Sequence, residues 1–148
     1  EPGMTAPDVD ELFGPDALHE VLGRCDTVVL AAAGTPETEN LMGAAEFAAM
    51  RPGSVFVNVA RGTMVDEDAL VDALETGRLR AAATDVARQE PLPPSSPLWD
   101  APNLMISPHS SPSQDRYFDM VFDLFLENLR RYVAGTPLRN VIDLAKGY

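Results

Sequence analysis

Arg61, Glu90 and His109 are the residues of this chain whose types and placement could do chemistry on a small carboxylic acid. Each stands just past an apolar run: Arg61 after SVFVNVA, Glu90 five residues beyond the Asp85 that closes RAAATD, and His109 after NLMIS and Pro108. A guanidinium grips a carboxylate through paired hydrogen bonds and polarises an adjoining carbonyl as negative charge grows on it. An imidazole, with an unperturbed pKa of about 6.5, gives up or takes a proton near working pH. A carboxylate beside it favours the imidazolium form and fixes the ring. The three groups can serve one small molecule if the apolar runs are neighbouring parallel strands. Such strands lie about 4.8 Å apart, and ligands bind beyond their carboxyl ends.

The elements that must position these residues alternate between helix and strand. Pro15 opens a helix with Ala17, Leu18, Val21 and Leu22 as its apolar stripe and Gly23 as its stop. TVVLAAA at 27–33 reads as a fully apolar strand, Gly34 to Asn40 as a polar loop, Ala44 to Met50 as a short helix and SVFVNV at 54–59 as the next strand. Asp66 caps a third helix that ends at Gly77, and RAAATDV at 80–86 is a third strand. After a proline-rich loop at 87–102, NLMIS at 103–107 is the fourth strand. Ser111 to Gln114 has the form of a capped helix start, followed by a long amphipathic helix from Phe118 to Val133 that stops at Gly135. Strands apolar on both faces, alternating with helices, predict a doubly wound α/β fold with a parallel sheet covered on both sides.

Composition narrows the function classes. A net charge of −12 argues against a nucleic-acid or anionic-membrane surface. No stretch approaches the roughly 18 apolar residues of a membrane span. Cys25, the single cysteine, leaves no internal disulfide to form and suits a reducing cytoplasm. His19 has no companion groups and reads as a surface residue, and Trp99 reads as a packing anchor of the proline-rich loop. No metal site is read from the sequence.

Taken together, NVARGTMVDEDAL, DVARQEPLP and NLMISPHSS resemble the second half of the D-isomer-specific 2-hydroxyacid dehydrogenases, with support from TPETENLM at 35–42, SPLWDAPN at 96–103 and NLRRYVAGTPLRNVID at 128–143. The resemblance implies an NAD- or NADP-dependent oxidoreductase that interconverts 2-oxo acids and D-2-hydroxy acids. It implies the C-terminal part of a doubly wound, Rossmann-type dinucleotide-binding domain. On this reading Arg61 binds the substrate's carboxylate and carbonyl oxygen, His109 is the proton donor and acceptor, and Glu90 hydrogen-bonds the histidine. Asp85 would contact the nicotinamide end of the cofactor, with a strand-end cap as its competing role. Ala32 to Thr38, including Ala33, would line the adenosine side, while Val59, Ala60 and the stretch from His109 through Ser111 would flank the nicotinamide. Family members often carry a proline where Ala33 stands. The resemblance also implies a cytoplasmic homodimer for the full-length protein. A non-catalytic dinucleotide-sensing regulatory or scaffold protein of the same fold is the competing function.

The fingerprint G-x-G-x-x-G is absent, since none of the ten glycines has another two positions away. The chain is therefore expected to be a fragment. Residues 1–134 would form a partial NAD(P)-binding domain without its first βαβ unit, and 135–148 a tail returning toward a missing substrate domain. If TVVLAAA is strand 3 of the order 3-2-1-4-5-6, a gap of roughly 15 Å should separate it from SVFVNV. Another chain or a clipped N-terminal half would have to fill that gap, or strand 3 would have to pair directly with strand 4.

Overall fold

The fold is that of a computed structural model, which describes residues 8–111 and 115–144. The chain divides into two units, Glu1–Pro108 and His109–Tyr148. In the first, four parallel strands, β1 (Thr27–Leu30), β2 (Ser54–Asn58), β3 (Leu79–Thr84) and β4 (Leu104–Ile106), lie in the sheet in the order β1-β2-β3-β4. Helices α1 (Leu18–Arg24), α2 (Ala44–Ala49) and α3 (Glu67–Glu75) precede β1, β2 and β3. Four apolar runs thus become four strands in chain order.

No gap separates the first two strands. β1 pairs directly with β2, from Thr27 opposite Val55 to Leu30 opposite Asn58. Of the outcomes expected from the sequence, the structure has the direct pairing of TVVL with SVFVN. Sequential strands joined by short helical crossovers tend to be neighbours, and β1, α2 and β2 form such a unit.

Each step from β1 to β4 moves the chain one place in the same direction. Right-handed crossovers must then put the connecting helices on one face. Phe47 of α2 and Leu70 and Leu74 of α3 are buried with Phe56 and Ala82 of the sheet in one core, which Leu22 of α1 joins. Phe47 meets Phe56 edge-on, with ring centroids 5.2 Å apart. The other face carries Val29, Val57, Ala83 and Met105 in register. Among the described residues of the first unit nothing covers this face, where Val29 is 58% exposed and Met105 71% exposed. The arrangement is one winding of the doubly wound fold.

Local signals explain most boundaries. Asp66 caps α3 by accepting from the Ala69 amide at 3.1 Å, and Gly77 follows with φ +71°, a left-handed conformation that favours glycine. Gly23 does not stop α1, which runs through it to Arg24. β1 ends at Leu30, three residues earlier than TVVLAAA suggests, because β2 offers no partner past Asn58. The carbonyls at the end of α2 are satisfied from a distance: Arg78 Nε donates to Phe47 O at 3.3 Å, and its Nη2 to Ala48 O and Met50 O.

His19 on α1 lies at the surface and pairs with Glu46 of α2 at 2.9 Å. That hydrogen bond, against some burial and with help from the Gly43 amide, holds the Glu46 carboxyl below its ordinary value of 4.5. A lowered carboxylate pKa contributes stability above the unfolded-state value and loses it as pH falls through the folded one. Thermal melts taken below pH 4.5 should therefore show a steeper fall in Tm for the native sequence than for Glu46→Gln.

In the second unit, α4 (Tyr117–Val133) carries Phe118, Phe122, Phe125 and Leu129 at helical spacing, all exposed. Pro112 to Gln114, where the helix start was expected, lie outside the described residues. Gly135 follows the helix with φ +66°, and the chain folds back so that the Arg139 amide donates to Asn128 Oδ1 at 2.8 Å. Among the described residues no helix is long and apolar enough to cross a membrane.

Candidate active site

Three loops leave the carboxyl ends of β1, β2 and β3 side by side. The first, Ala31 to Gly43, is exposed at Ala32 and Ala33. Thr38 holds it in shape: its Oγ1 accepts from the Thr35 amide at 2.8 Å and donates to Ala33 O at 2.9 Å. A Cβ on Gly34 would sit 3.0 Å from Arg61 Cγ, so this loop touches the arginine of the second.

The second loop is anchored from below by Asn58, a residue to which sequence reasoning gave no role. Its side chain is buried at the end of β2, where Oδ1 accepts from the Ala60 amide at 3.0 Å and Nδ2 donates to Arg61 O at 3.2 Å. A polar residue inside an otherwise apolar strand was the available signal. The Val59 amide donates to Leu30 O at 3.1 Å, and Arg61 Nη1 to Ala60 O at 2.7 Å. Ligands at Val59 and Ala60 would meet side chains and carbonyl groups, because both amides are engaged. The Arg61 side chain is exposed, as a residue that grips a dissolved anion must be.

The third loop begins with Asp85, which is 4% exposed and accepts from Ser107 Oγ at 2.6 Å. Ser107 lies one residue past β4, so the ends of β3 and β4 are tied at the site edge. Glu90 Oε1 accepts from the Ala87 amide at 3.0 Å, closing the turn that presents the carboxylate. Trp99, farther along, is 53% exposed, with its indole N–H on Pro93 O at 2.9 Å. Leu98, at 2%, is the loop's anchor in place of Trp99.

The second and third loops meet backbone to backbone. A Cβ on Gly62 would fall 1.9 Å from the Ala87 carbonyl carbon and 2.3 Å from the Arg88 nitrogen. Only glycine permits that approach. Gly62→Ala should therefore destabilise the protein by about 3–5 kcal/mol or push the loops apart. Urea denaturation of the two proteins side by side checks this; an unchanged midpoint would mean that the loops yield freely.

His109 and Ser111 belong to the second unit. His109 is exposed and has φ +53°, in the left-handed region that few side-chain-bearing residues adopt. Backbone held there is a mark of functional positions. Of the sequence-predicted residues, Ala32, Ala33, Thr38, Val59, Ala60, Arg61, Asp85 and Glu90 are thus brought to adjoining strand ends in one unit, and His109 and Ser111 follow the fourth strand in chain order.

A nicotinamide ring needs an apolar surface and its carboxamide a hydrogen-bond acceptor. Val59, 39% exposed, and the Asp85 carboxylate, at the ends of adjacent strands, are of these kinds. No glycine-rich turn for a pyrophosphate occurs in the chain, so the residues present fit the nicotinamide but offer the pyrophosphate no cradle. Among the described residues no group of three His, Cys, Asp or Glu side chains could hold a metal ion.

Comparison with known proteins agrees with this architecture. Residues 5–111 match the family model described as D-isomer specific 2-hydroxyacid dehydrogenase, NAD binding domain. Glyoxylate/hydroxypyruvate reductase B of Citrobacter koseri is 43% identical over 115 residues, covering 75% of this chain and 36% of the reductase. A D-isomer specific 2-hydroxyacid dehydrogenase of Xanthobacter autotrophicus, solved with NADPH and MES, superposes with a TM-score of 0.82 at 40% identity, over 90% of this chain and 54% of that one. An NADPH-dependent glyoxylate/hydroxypyruvate reductase of Sinorhizobium meliloti, solved with NADP and sulfate, gives 0.84 at 33% identity, over 92% and 44%. The chain spans less than half the length of the curated relatives it matches. The sheet order, the loops at its carboxyl edge and these matches together establish that the chain belongs to the D-isomer specific 2-hydroxyacid dehydrogenase family, in its NAD-binding domain.

Proposed function

We propose that this chain is the catalytic, nicotinamide-binding part of an oxidoreductase that reduces a 2-oxo acid to a D-2-hydroxy acid and runs the reverse reaction. The observation that carries the reading is the interlock at Gly62, which fixes the Arg61 loop against the loop that ends in Glu90. Arg61 grips the substrate carboxylate and draws electron density toward the carbonyl oxygen. His109 delivers a proton to that oxygen during reduction and withdraws it during oxidation, oriented by Glu90. Val59, Ala60 and Asp85 would hold NAD or NADP at its nicotinamide end, and Ala32, Ala33 and Thr38 at its adenosine side; when bound it would supply or accept the hydride. Ser111 flanks the same ring.

The substrate domain and the glycine-rich turn lie, on this reading, outside these 148 residues. The partial coverage of the relatives supports it. Residues 1–134 then form the cofactor-binding part and 135–148 lead toward the substrate domain. Family resemblance supports a cytoplasmic homodimer acting on a small acid, with no nucleic-acid or membrane partner.

The test is oxidation of NADH and NADPH by the complete protein, followed at 340 nm with a panel of short 2-oxo acids such as glyoxylate and hydroxypyruvate. Turnover that depends on the oxo acid is the expected result. Tight dinucleotide binding without turnover on any of them would favour the sensing role and reject the enzyme.

A further inference from the structure

One side chain that reaches across the sheet's carboxyl edge belongs to a residue outside the proposed catalytic set. Arg88 lies three positions after Asp85 and two before Glu90. Its own amide donates to Glu67 Oε1 at 2.7 Å, which ties the third loop to the first turn of α3. Its guanidinium then crosses to the second loop, with Nε donating to Val65 O at 3.1 Å and Nη2 to Thr63 O at 3.1 Å. Nη2 also donates to Asn40 Oδ1, on the first loop.

Asn40 takes up a left-handed conformation, with φ +52°, at the place where the first loop joins the second. Its amide donates to Thr63 O at 3.0 Å, and Met42 and Asp66 continue the seam through Met42 N to Met64 O and Asp66 N to Met42 O, both 3.0 Å. One guanidinium therefore bridges all three loops, immediately beside the contact at Gly62. Its partners include two backbone carbonyl groups of the turn that follows Arg61, Thr63 O inside it and Val65 O at its end.

We propose that Arg88 is a positioning residue for the reaction: it sets the Arg61 loop against the Glu90 loop and the cofactor-facing first loop, without touching substrate. The proposal rests on the oxidoreductase reading above. A planar fork with donors in fixed directions can span carbonyl groups on separate segments, whereas an ammonium concentrates its charge at one point. Lysine therefore cannot replace it fully. Arg88 is exposed at the surface, so its hydrogen bonds close loops without filling the core.

The test uses Arg88→Met and Arg88→Lys in the complete protein, with three measurements on each. Arg88→Met should melt close to the native temperature and lose far less dinucleotide affinity than kcat/KM. Its kcat/KM for the 2-oxo acid should fall about 10²-fold, the scale of a misplaced catalytic geometry, mostly through KM because the Arg61 grip is displaced. Arg88→Lys should recover only part of that loss. Hydrogen exchange at the Asn40 and Met42 amides should be faster in Arg88→Met than in the native protein.

Native kcat/KM in Arg88→Met would overturn the proposal. If that variant does not fold, native kinetics in Arg88→Lys would overturn it instead. Should the unmutated protein reduce no 2-oxo acid, the proposed function fails, and the exchange rates alone decide the bridge. Unchanged rates then reject it and faster rates uphold it.

Discussion

Replacing His109 by alanine or glutamine in the complete enzyme should lower kcat by about 10²–10⁴-fold, the usual contribution of a general acid–base group. Dinucleotide affinity should change little, since the cofactor contacts proposed here come chiefly from the ends of β1, β2 and β3. The histidine lies three residues past the end of β4 and is held at φ +53°, a conformation that costs free energy and is retained where the surrounding chain imposes it. Glutamine is the more telling variant, because it keeps hydrogen-bonding capacity and volume but cannot shuttle a proton. Saturating steady-state kinetics on purified protein checks the expectation. Near-native turnover in either variant would remove His109 from the proton path.

Arg61→Lys should be nearly as severe, with a loss of about 10²–10³-fold in kcat/KM for 2-oxo acids. The guanidinium presents paired donors to a carboxylate and further charge to the developing alkoxide, and a lysine ammonium offers one of these at a time. The substitution is compatible with the fold. The Arg61 backbone is held by Asn58 through the carbonyl oxygen, and the side chain is exposed. Circular dichroism should therefore be unchanged while the KM for the oxo acid rises steeply. A lysine variant with native kinetics would mean that the acid is held elsewhere.

Much of this site was legible because its residues stand where local patterns change. Arg61, Asp85 and His109 each follow a short apolar run, and such runs in alternation with helices specify a parallel sheet and its functional edge. Asp66 announced its helix through its own side chain, within three residues. Of the residues that escaped sequence reading, Asn58 acts within three positions, but Arg88 and Arg78 act over distance. Arg88 finds its partners 21 to 48 positions away, and Arg78 caps α2 from about 30 positions beyond it. Nothing in their neighbours along the chain distinguishes them from solvated arginines.

Strand edges are hard to read from sequence for a related reason. TVVLAAA is uniformly apolar, but a strand ends where its neighbour stops offering partners, and β2 stops at Asn58. The expected gap does not form, because strands joined by a short helical crossover tend to be neighbours, and TVVL pairs with SVFVN. Apolarity on both faces of a strand is also compatible with one face left open within the first unit, since alanine and valine do not report which side is covered.

The interlocked loops have a consequence for recombination between relatives. Gly62, Thr63 and Val65 sit on one side of α3, and Ala87 and Arg88 on the other, so a crossover point between residues 65 and 87 would join halves that had never been selected together. A block exchanged from Leu22 to Leu98 would instead inherit the whole buried core and all three loops from one parent. Breakpoints that respect this boundary define the piece of the molecule that can be traded intact, and the tightest constraint on trading it in smaller pieces is the missing Cβ of a single glycine.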